Sequence, residues 1–237
     1  MNIIPILDLK GGSCIYTCAQ ESEEQIIKEN PLEVVAKWID DKIERIHIID
    51  IDALKSREPE NVSTVRALKK AFPNLILEIS GAVLNDEHIL IWLDAGVDFL
   101  SLSAKSVAQK DLLEAYSMEY PGKIMISIDL VEGKQMNPRL IPRYGTEINE
   151  VIDNLQNDGI QGLILSNHLS NGVQSGCFQY TQDIITQQNM PIFINHNKQN
   201  CLNDEQLDSL NTKAIQGLII SREIYNNIPL INKIRNL

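Results

Sequence analysis

The stretch Pro5-Ile-Leu-Asp8-Leu9 near the start of the chain is matched 121 positions later by Ile126-Ser-Ile-Asp129-Leu130. A second pair of stretches, 94–104 and 212–222, is similar at an offset of 118 positions. Both offsets are close to half of the 237 residues. Such a repeat predicts two halves of four β/α units each, which close into one eight-stranded (β/α)₈ barrel of the TIM type.

Short apolar runs alternate with longer amphipathic segments along the whole chain. Several of the short runs are uniformly apolar, as parallel strands are when both of their faces are covered. The predicted strands are Asn2–Leu7, Glu44–Ile51, Leu75–Ile79, Asp98–Leu102, Lys123–Leu130, Gly162–Ser166, Pro191–Asn195 and Gln216–Ile220. The predicted helices are Pro31–Lys42, Asn85–Ala95, Val107–Tyr120, Glu147–Asn157, Tyr180–Gln188 and Asp204–Asn211. Because no linker interrupts this alternation, we expect a single domain over residues 1–237.

Composition and charge exclude several classes of function. The chain has 43% hydrophobic and 22% charged residues, which is typical of a soluble globular protein. A formal net charge of -11 argues against binding to nucleic acid or to an anionic membrane. The sequence shows no signal peptide and no apolar run long enough to span a membrane, so we expect a cytoplasmic protein with reduced cysteines.

Two aspartates mark the candidate site. If the first and fifth strands end at Asp8 and Asp129, both carboxylates lie at the carboxyl ends of the strands, where barrel enzymes have their active sites. Two such acids suit general acid–base catalysis, with one accepting a proton and the other donating one. The alternative is that they are turn or helix-cap residues. Asp50 and Asp52 end the second strand, and one of these two is expected to be structural.

The segments 2–12 and 47–53, together with the Asp129 strand, resemble the ProFAR isomerase family of histidine biosynthesis and its sister, the cyclase subunit of imidazole glycerol phosphate synthase. The resemblance implies a half-barrel duplicate that catalyses an Amadori rearrangement, an aldose–ketose isomerisation of a bis-phosphorylated aminoimidazole carboxamide ribotide. It implies no metal and no organic cofactor. It also implies roles for three residues: Asp8 as the proton acceptor, Asp129 as the proton donor and Ser166 as an assisting hydroxyl.

The phosphate-binding turns depart from that family. Its triple glycine after the third strand is Ser80-Gly81-Ala82 here, and the first aspartate of its loop after the sixth strand is Asn167. Losing several charge-assisted hydrogen bonds, each worth roughly 1.5–3 kcal/mol, weakens phosphate binding by orders of magnitude. We therefore expect poor activity on the standard substrate. The positions that match the family's binding residues, or that stand near them with replacement charge, are Gly81, Ser103, Arg143, Asn167, Gly172, Asn195, Lys198, Ser221 and Arg222.

Two other hypotheses remain open beside the isomerase. A divergent enzyme would keep the acid pair and use it on another ligand. A non-catalytic barrel would instead bind a ligand or a partner protein, such as the glutaminase-like partner that the cyclase has. If the chain is the isomerase, its expected partner is a small phosphorylated substrate.

Overall fold

Eight parallel strands with helices between them form the framework of the fold. The computed structural model describes residues 1–20, 23–81, 83–103, 112–131, 133–168, 184, 190–196, 207–208 and 214–236. The strands are β1 (Asn2–Lys10), β2 (Ser13–Gln20), β3 (Glu23–Glu29), β4 (Arg45–Asp50), β5 (Ile76–Ser80), β6 (Phe99–Ser103), β7 (Ile124–Val131), β8 (Lys134–Gln135), β9 (Leu163–His168), β10 (Ile192–His196) and β11 (Ile215–Ile220). The helices are α1 (Pro31–Asp40), α2 (Ala53–Ser56), α3 (Val62–Ala71), α4 (Asp86–Asp94), α5 (Leu112–Glu119), α6 (Ile141–Tyr144), α7 (Ile148–Asn157), α8 (Arg222–Tyr225) and α9 (Ile228–Arg235).

The order of the strands confirms the predicted fold class. The sheet runs β11-β10-β9-β7-β6-β5-β4-β1, and β11 also pairs with β1. Neighbouring strands of this series are parallel wherever their register is defined. This is the strand order of a (β/α)₈ barrel.

The described residues fall into two compact units. One comprises residues 4–101 with 221–228, and the other comprises residues 1–3, 102–220 and 229–237. Each unit holds four of the eight parallel strands, in agreement with the half-barrel repeat, and the boundaries fall inside β1 and β6. That the whole chain forms a single domain stays a prediction.

Helix ends follow local side-chain chemistry. Asn30 caps α1 by accepting a hydrogen bond from the Leu32 amide at 3.0 Å, and Asn85 caps α4 by accepting one from the His88 amide at 2.9 Å. Gly96 follows α4 with a φ of 93°, which a glycine adopts without strain. The bounds of α4 match the predicted helix Asn85–Ala95 to within one residue at each end. Among the described helices none is long and apolar enough to cross a membrane.

Several elements were not predicted from the sequence. The strands β2 and β3 form an antiparallel hairpin on the edge of β1, and β8 folds back on β7. The helices α2, α3, α6, α8 and α9 were also absent from the prediction. Of the predicted helices, Tyr180–Gln188 lies outside the described residues apart from Ile184. Asp204–Asn211 is described only at residues 207–208, and Val107–Tyr120 is described from Leu112 onward.

Candidate active site

Asp129 and Ser166 occupy paired positions on neighbouring strands. Along β7 the side chains of Ser127, Asp129 and Val131 are exposed or half-buried, whereas those between them are buried. This alternation has the period of two that a strand imposes, so the three side chains share one face. Asp129 pairs in register with Ser166 of β9, which is only 5% exposed. The Asn195 side-chain amide on β10 donates to the Ser166 hydroxyl oxygen at 3.2 Å and so orients that hydroxyl.

An open cleft of about 670 Å³ lies over this face of β7. Its volume falls within the range of ordinary small-molecule sites. Serine hydroxyls, the Asp129 carboxylate and an exposed arginine give the cleft both hydrogen-bond donors and hydrogen-bond acceptors. The lining residues are Ser103, Ser127, Asp129, Val131, Met136, Asn137, Pro138 and Arg139.

The segment that carries Arg139 is held over the cleft by a short hairpin. The strand β8 returns antiparallel to β7, with Leu130 paired to Gln135. The Gln135 side chain is fully buried, where its amide donates to the Gly145 carbonyl at 3.0 Å and its oxygen accepts from the Asn137 amide. These bonds fix the backbone of the residues after β8.

Arg143, an expected phosphate ligand, is committed elsewhere. Its guanidinium donates to both carboxylate oxygens of Asp158, at 2.7 and 2.8 Å, and to Glu114 of α5 at 2.6 Å. The Tyr144 hydroxyl also donates to Asp158 at 2.7 Å. Burial and this hydrogen bond raise the pKa of Tyr144, and the carboxylates raise that of Arg143. These contacts tie α6 to the helical layer at α5 and the end of α7, so the geometry gives Arg143 a structural role.

Asp8 stands at the end of β1, in the unit that contains residues 4–101. It is half-buried and pairs with Ile49 of β4 on one side and with Ile15 of the hairpin on the other. Asp52, which follows β4, holds the turn between β1 and β2, because the Gly11 amide donates to the Asp52 carboxylate at 2.6 Å. This bond and one from Asn61 lower the pKa of Asp52.

Both acids at the end of β4 have structural contacts. Asp50 is fully buried and accepts hydrogen bonds from the backbone amides of Ala53, Glu60 and Asn61 and from the Asn61 side chain. Asn61 in turn accepts from the Gly12 amide at 2.8 Å. Asp50, together with Asn61, therefore stabilises the turns that follow β1 and β4.

Gly81 has a structural reason to be glycine. Its φ is 94°, and a Cβ atom there would lie 2.9 Å from the carbonyl oxygen of Asp50. The turn after β5 therefore keeps a glycine even though its neighbours differ from the family pattern.

Arg222, another expected phosphate ligand, already has an acidic partner. It forms an ion pair with Glu29 of β3, and its side chain is 12% exposed. The guanidinium also lies 4.6 Å from the centre of the Tyr16 ring and 3.5 Å from the Cys14 sulfur. Ser221, which precedes it, is half-buried. Much of the Arg222 charge is therefore balanced within residues 4–101 and 221–228.

The remaining predicted binding residues divide between the cleft and the undescribed part of the chain. Ser103 is exposed and lines the cleft, and Asn195 contacts Ser166. Asn167 is described only as part of the β9 backbone, and Gly172 and Lys198 lie outside the described residues. Arg139 was not among the predicted binding positions, although it stands ten residues after Asp129 and is nearer than Arg143 to the end of β7.

Comparisons with known proteins bear on the family of the chain. A family model described as "Histidine biosynthesis protein" matches residues 2–228. The chain is similar to a 1-(5-phosphoribosyl)-5-((5-phosphoribosylamino)methylideneamino)imidazole-4-carboxamide isomerase of Thioalkalivibrio sulfidiphilus, with 23% identity over 95% of this chain and 94% of the relative. Proteins of the same name from Alcanivorax borkumensis and Pseudomonas putida share 26% and 24% identity, over 96% and 95% of this chain and 93% of each relative.

Proposed function

Because the chain belongs to the histidine biosynthesis protein family over residues 2–228, we propose that it is a cytoplasmic aldose–ketose isomerase acting on a bis-phosphorylated aminoimidazole carboxamide ribotide. The relatives named above are isomerases of such a compound. The observation that carries the proposal is the exposed Asp129 carboxylate in a cleft of suitable size, paired in register with Ser166.

The reaction needs one proton donor and one proton acceptor. In the proposed mechanism Asp129 is the proton donor to the furanose ring oxygen, and the sugar opens to an imine. Asp8 then accepts the proton from C2, which gives the enolamine that becomes the aminoketose. Ser166 assists with its hydroxyl, oriented by Asn195. Each such proton transfer contributes roughly 10²–10⁴ in rate.

The phosphate groups of the substrate require cationic groups or N–H and O–H donors. In the cleft beside Asp129 the candidates are Arg139, Ser103 and Ser127. An arginine binds a phosphate with two N–H groups at once, which gives both energy and orientation. We therefore assign the anion-binding role near Asp129 to Arg139 rather than to Arg143. Gly81, Ser221, Arg222, Asn167, Gly172 and Lys198 stay proposed binding positions.

Turnover of the standard substrate is expected to be slow. The resemblance places glycine-rich turns where this sequence has Ser80-Gly81-Ala82 after β5, Ser103-Ala104 after β6, Asn195-His196-Asn197-Lys198 after β10 and Ser221-Arg222 after β11. These residues offer fewer bare backbone groups to phosphate than glycines do. The ion pair of Arg222 with Glu29 further reduces the charge available there. We expect turnover at least tenfold below the roughly 1–10³ per second of ordinary enzymes.

Isothermal titration with the ribotide tests substrate binding directly, with inorganic phosphate as the control ligand. Micromolar binding that Arg139→Ala weakens at least tenfold supports the proposal. Absence of binding at millimolar concentration contradicts it and favours the alternative of a divergent barrel with another ligand or a glutaminase-like partner. The pairing of Arg222 with Glu29 is the observation that favours this alternative.

A further inference from the structure

Three side chains on β4 and β5 form a continuous hydrogen-bonded line within residues 4–101. Nδ1 of His47 lies 2.8 Å from Oε1 of Glu78, and Nε2 of His47 lies 3.1 Å from the Ser80 hydroxyl. His47 pairs in register with Glu78, and Ser80 is two residues further along the same strand. Because a strand repeats every two residues, Glu78 and Ser80 share one face and both reach the imidazole.

The ionisation of Glu78 sets the orientation of the imidazole. Burial alone raises the pKa of this fully buried carboxyl, but His47 and Arg45 outweigh it and hold the pKa below its ordinary value of 4.5. Arg45 contributes two hydrogen bonds to the other carboxylate oxygen, at 2.7 and 3.1 Å. With its ring proton on Nδ1, the imidazole donates to the Glu78 carboxylate. Nε2 is then the acceptor, and it faces the Ser80 hydroxyl.

Ser80 is the accessible end of this line. Glu78 has no exposed surface and His47 is 7% exposed, whereas Ser80 is half-buried at the last position of its strand. The chain turns immediately afterwards at Gly81, whose φ is 94°. A serine on a sharp turn at a strand end is how hydrolases expose a nucleophilic hydroxyl. The hydroxyl also lies 3.4 Å from the Ile48 carbonyl, a longer contact than the one to His47.

We propose that Ser80, His47 and Glu78 form a second catalytic site that hydrolyses small carboxylic esters. A nucleophile bonded to a base, with the base oriented by a buried acid, is the arrangement that acyl transfer requires. The proposed hydrolysis uses neither Asp8 nor Asp129, although Ser80 stands in the turn that matches a phosphate-binding turn of the family.

The proposed reaction proceeds in two balanced steps. The Ser80 oxygen attacks the ester carbonyl carbon while its proton passes to Nε2 of His47. The carbon–oxygen bond to the alcohol breaks, and the departing alkoxide takes that proton. Water then attacks the acyl-serine, with His47 accepting its proton and returning one to the Ser80 oxygen. The products are one carboxylic acid and one alcohol.

A fluorophosphonate probe tests the nucleophile on the intact protein. The serine oxygen displaces fluoride from phosphorus, and peptide mass spectrometry locates the adduct. We expect labelling at Ser80 in the wild type, none at that peptide in Ser80→Ala, and a rate at least 100-fold lower in His47→Gln. Ser63→Ala is the matched control, because Ser63 is exposed on α3.

Hydrolysis of p-nitrophenyl acetate supplies a pH profile that a purely structural role would not change. We expect the wild-type rate to rise as an imidazole deprotonates, and this rise to be absent from His47→Gln. If that variant does not fold, Ser80→Ala and Ser80→Thr still test the nucleophile, since the half-buried Ser80 tolerates small changes. The proposal is overturned if the wild type takes no label at Ser80, or if labelling and hydrolysis persist unchanged in the variants.

Discussion

Asp129 and Ser166 lie side by side at the ends of β7 and β9, paired in register across two parallel strands. One is exposed to the cleft, and the other is buried and hydrogen-bonded by Asn195. An ionisable group and a fixed hydroxyl on adjacent strands make a pre-organised arrangement, since neither position moves without displacing the sheet. The predictions on the proposed isomerase start from this pair.

Removal of the Ser166 hydroxyl is expected to slow isomerisation with little effect on folding. In Ser166→Ala the Asn195 amide loses one acceptor, which costs about 1 kcal/mol of unfolding free energy. We expect kcat to fall about tenfold, since the hydroxyl assists the proton transfers without replacing either acid. Steady-state kinetics with Ser63→Ala as the control measures this, and an unchanged kcat would remove Ser166 from the mechanism.

Arg139 and Arg143 are expected to differ in what they affect. Arg139→Ala removes a guanidinium from the cleft, so KM rises at least tenfold. Arg143→Ala breaks the ion pairs to Asp158 and Glu114, so the unfolding free energy falls by about 2 kcal/mol while KM is retained. Urea denaturation and kinetics on both variants separate the two roles. The reverse pattern would mean that Arg143 is the substrate ligand.

The sequence predicted the parallel strands well, whereas the site residues stay predictions. Runs such as Leu163-Ile-Leu are apolar because both faces of the strand are covered, and this signal is local. The hairpin of β2 and β3 was missed because Glu23–Glu29 is mostly polar and becomes a strand through its pairing with β2. The ion pair of Arg143 could not be predicted either, because its partner Asp158 lies beyond α7 and comes close only in the folded chain.

The buried carboxylate of Glu78 is expected to make stability depend on acidity. Its pKa in the folded protein lies below the ordinary 4.5, so the unfolded chain binds this proton more tightly. The stability that the carboxylate contributes is therefore present above about pH 4.5 and is lost as pH falls further. We expect Glu78→Gln to be less stable by about 3 kcal/mol at pH 7. Urea midpoints of the two proteins should converge below pH 4.5, and a constant difference would contradict the assignment.

Cys14 is expected to resist alkylation in the folded protein. Burial raises the pKa of its thiol to about 11, despite the opposing effect of Arg222, so the reactive thiolate is scarce at pH 8. Iodoacetamide labelling followed by peptide mass spectrometry should leave Cys14 unmodified until denaturant is added. Arg222→Ala breaks the contact to the thiol and the ion pair to Glu29. Rapid labelling of the folded wild type would show that the thiol is more accessible than the structure indicates.

The most direct test of the central claim is steady-state turnover of the bis-phosphorylated ribotide, with substrate and product separated by chromatography. The wild type should convert the aldose to the ketose slowly but measurably. Asp129→Asn and Asp8→Asn should each reduce kcat by about 10²–10⁴. Asp40→Asn, an exposed change at the end of α1, should leave kcat unaltered. The account is contradicted if the wild type shows no conversion, or if turnover survives intact in the Asp8 and Asp129 variants.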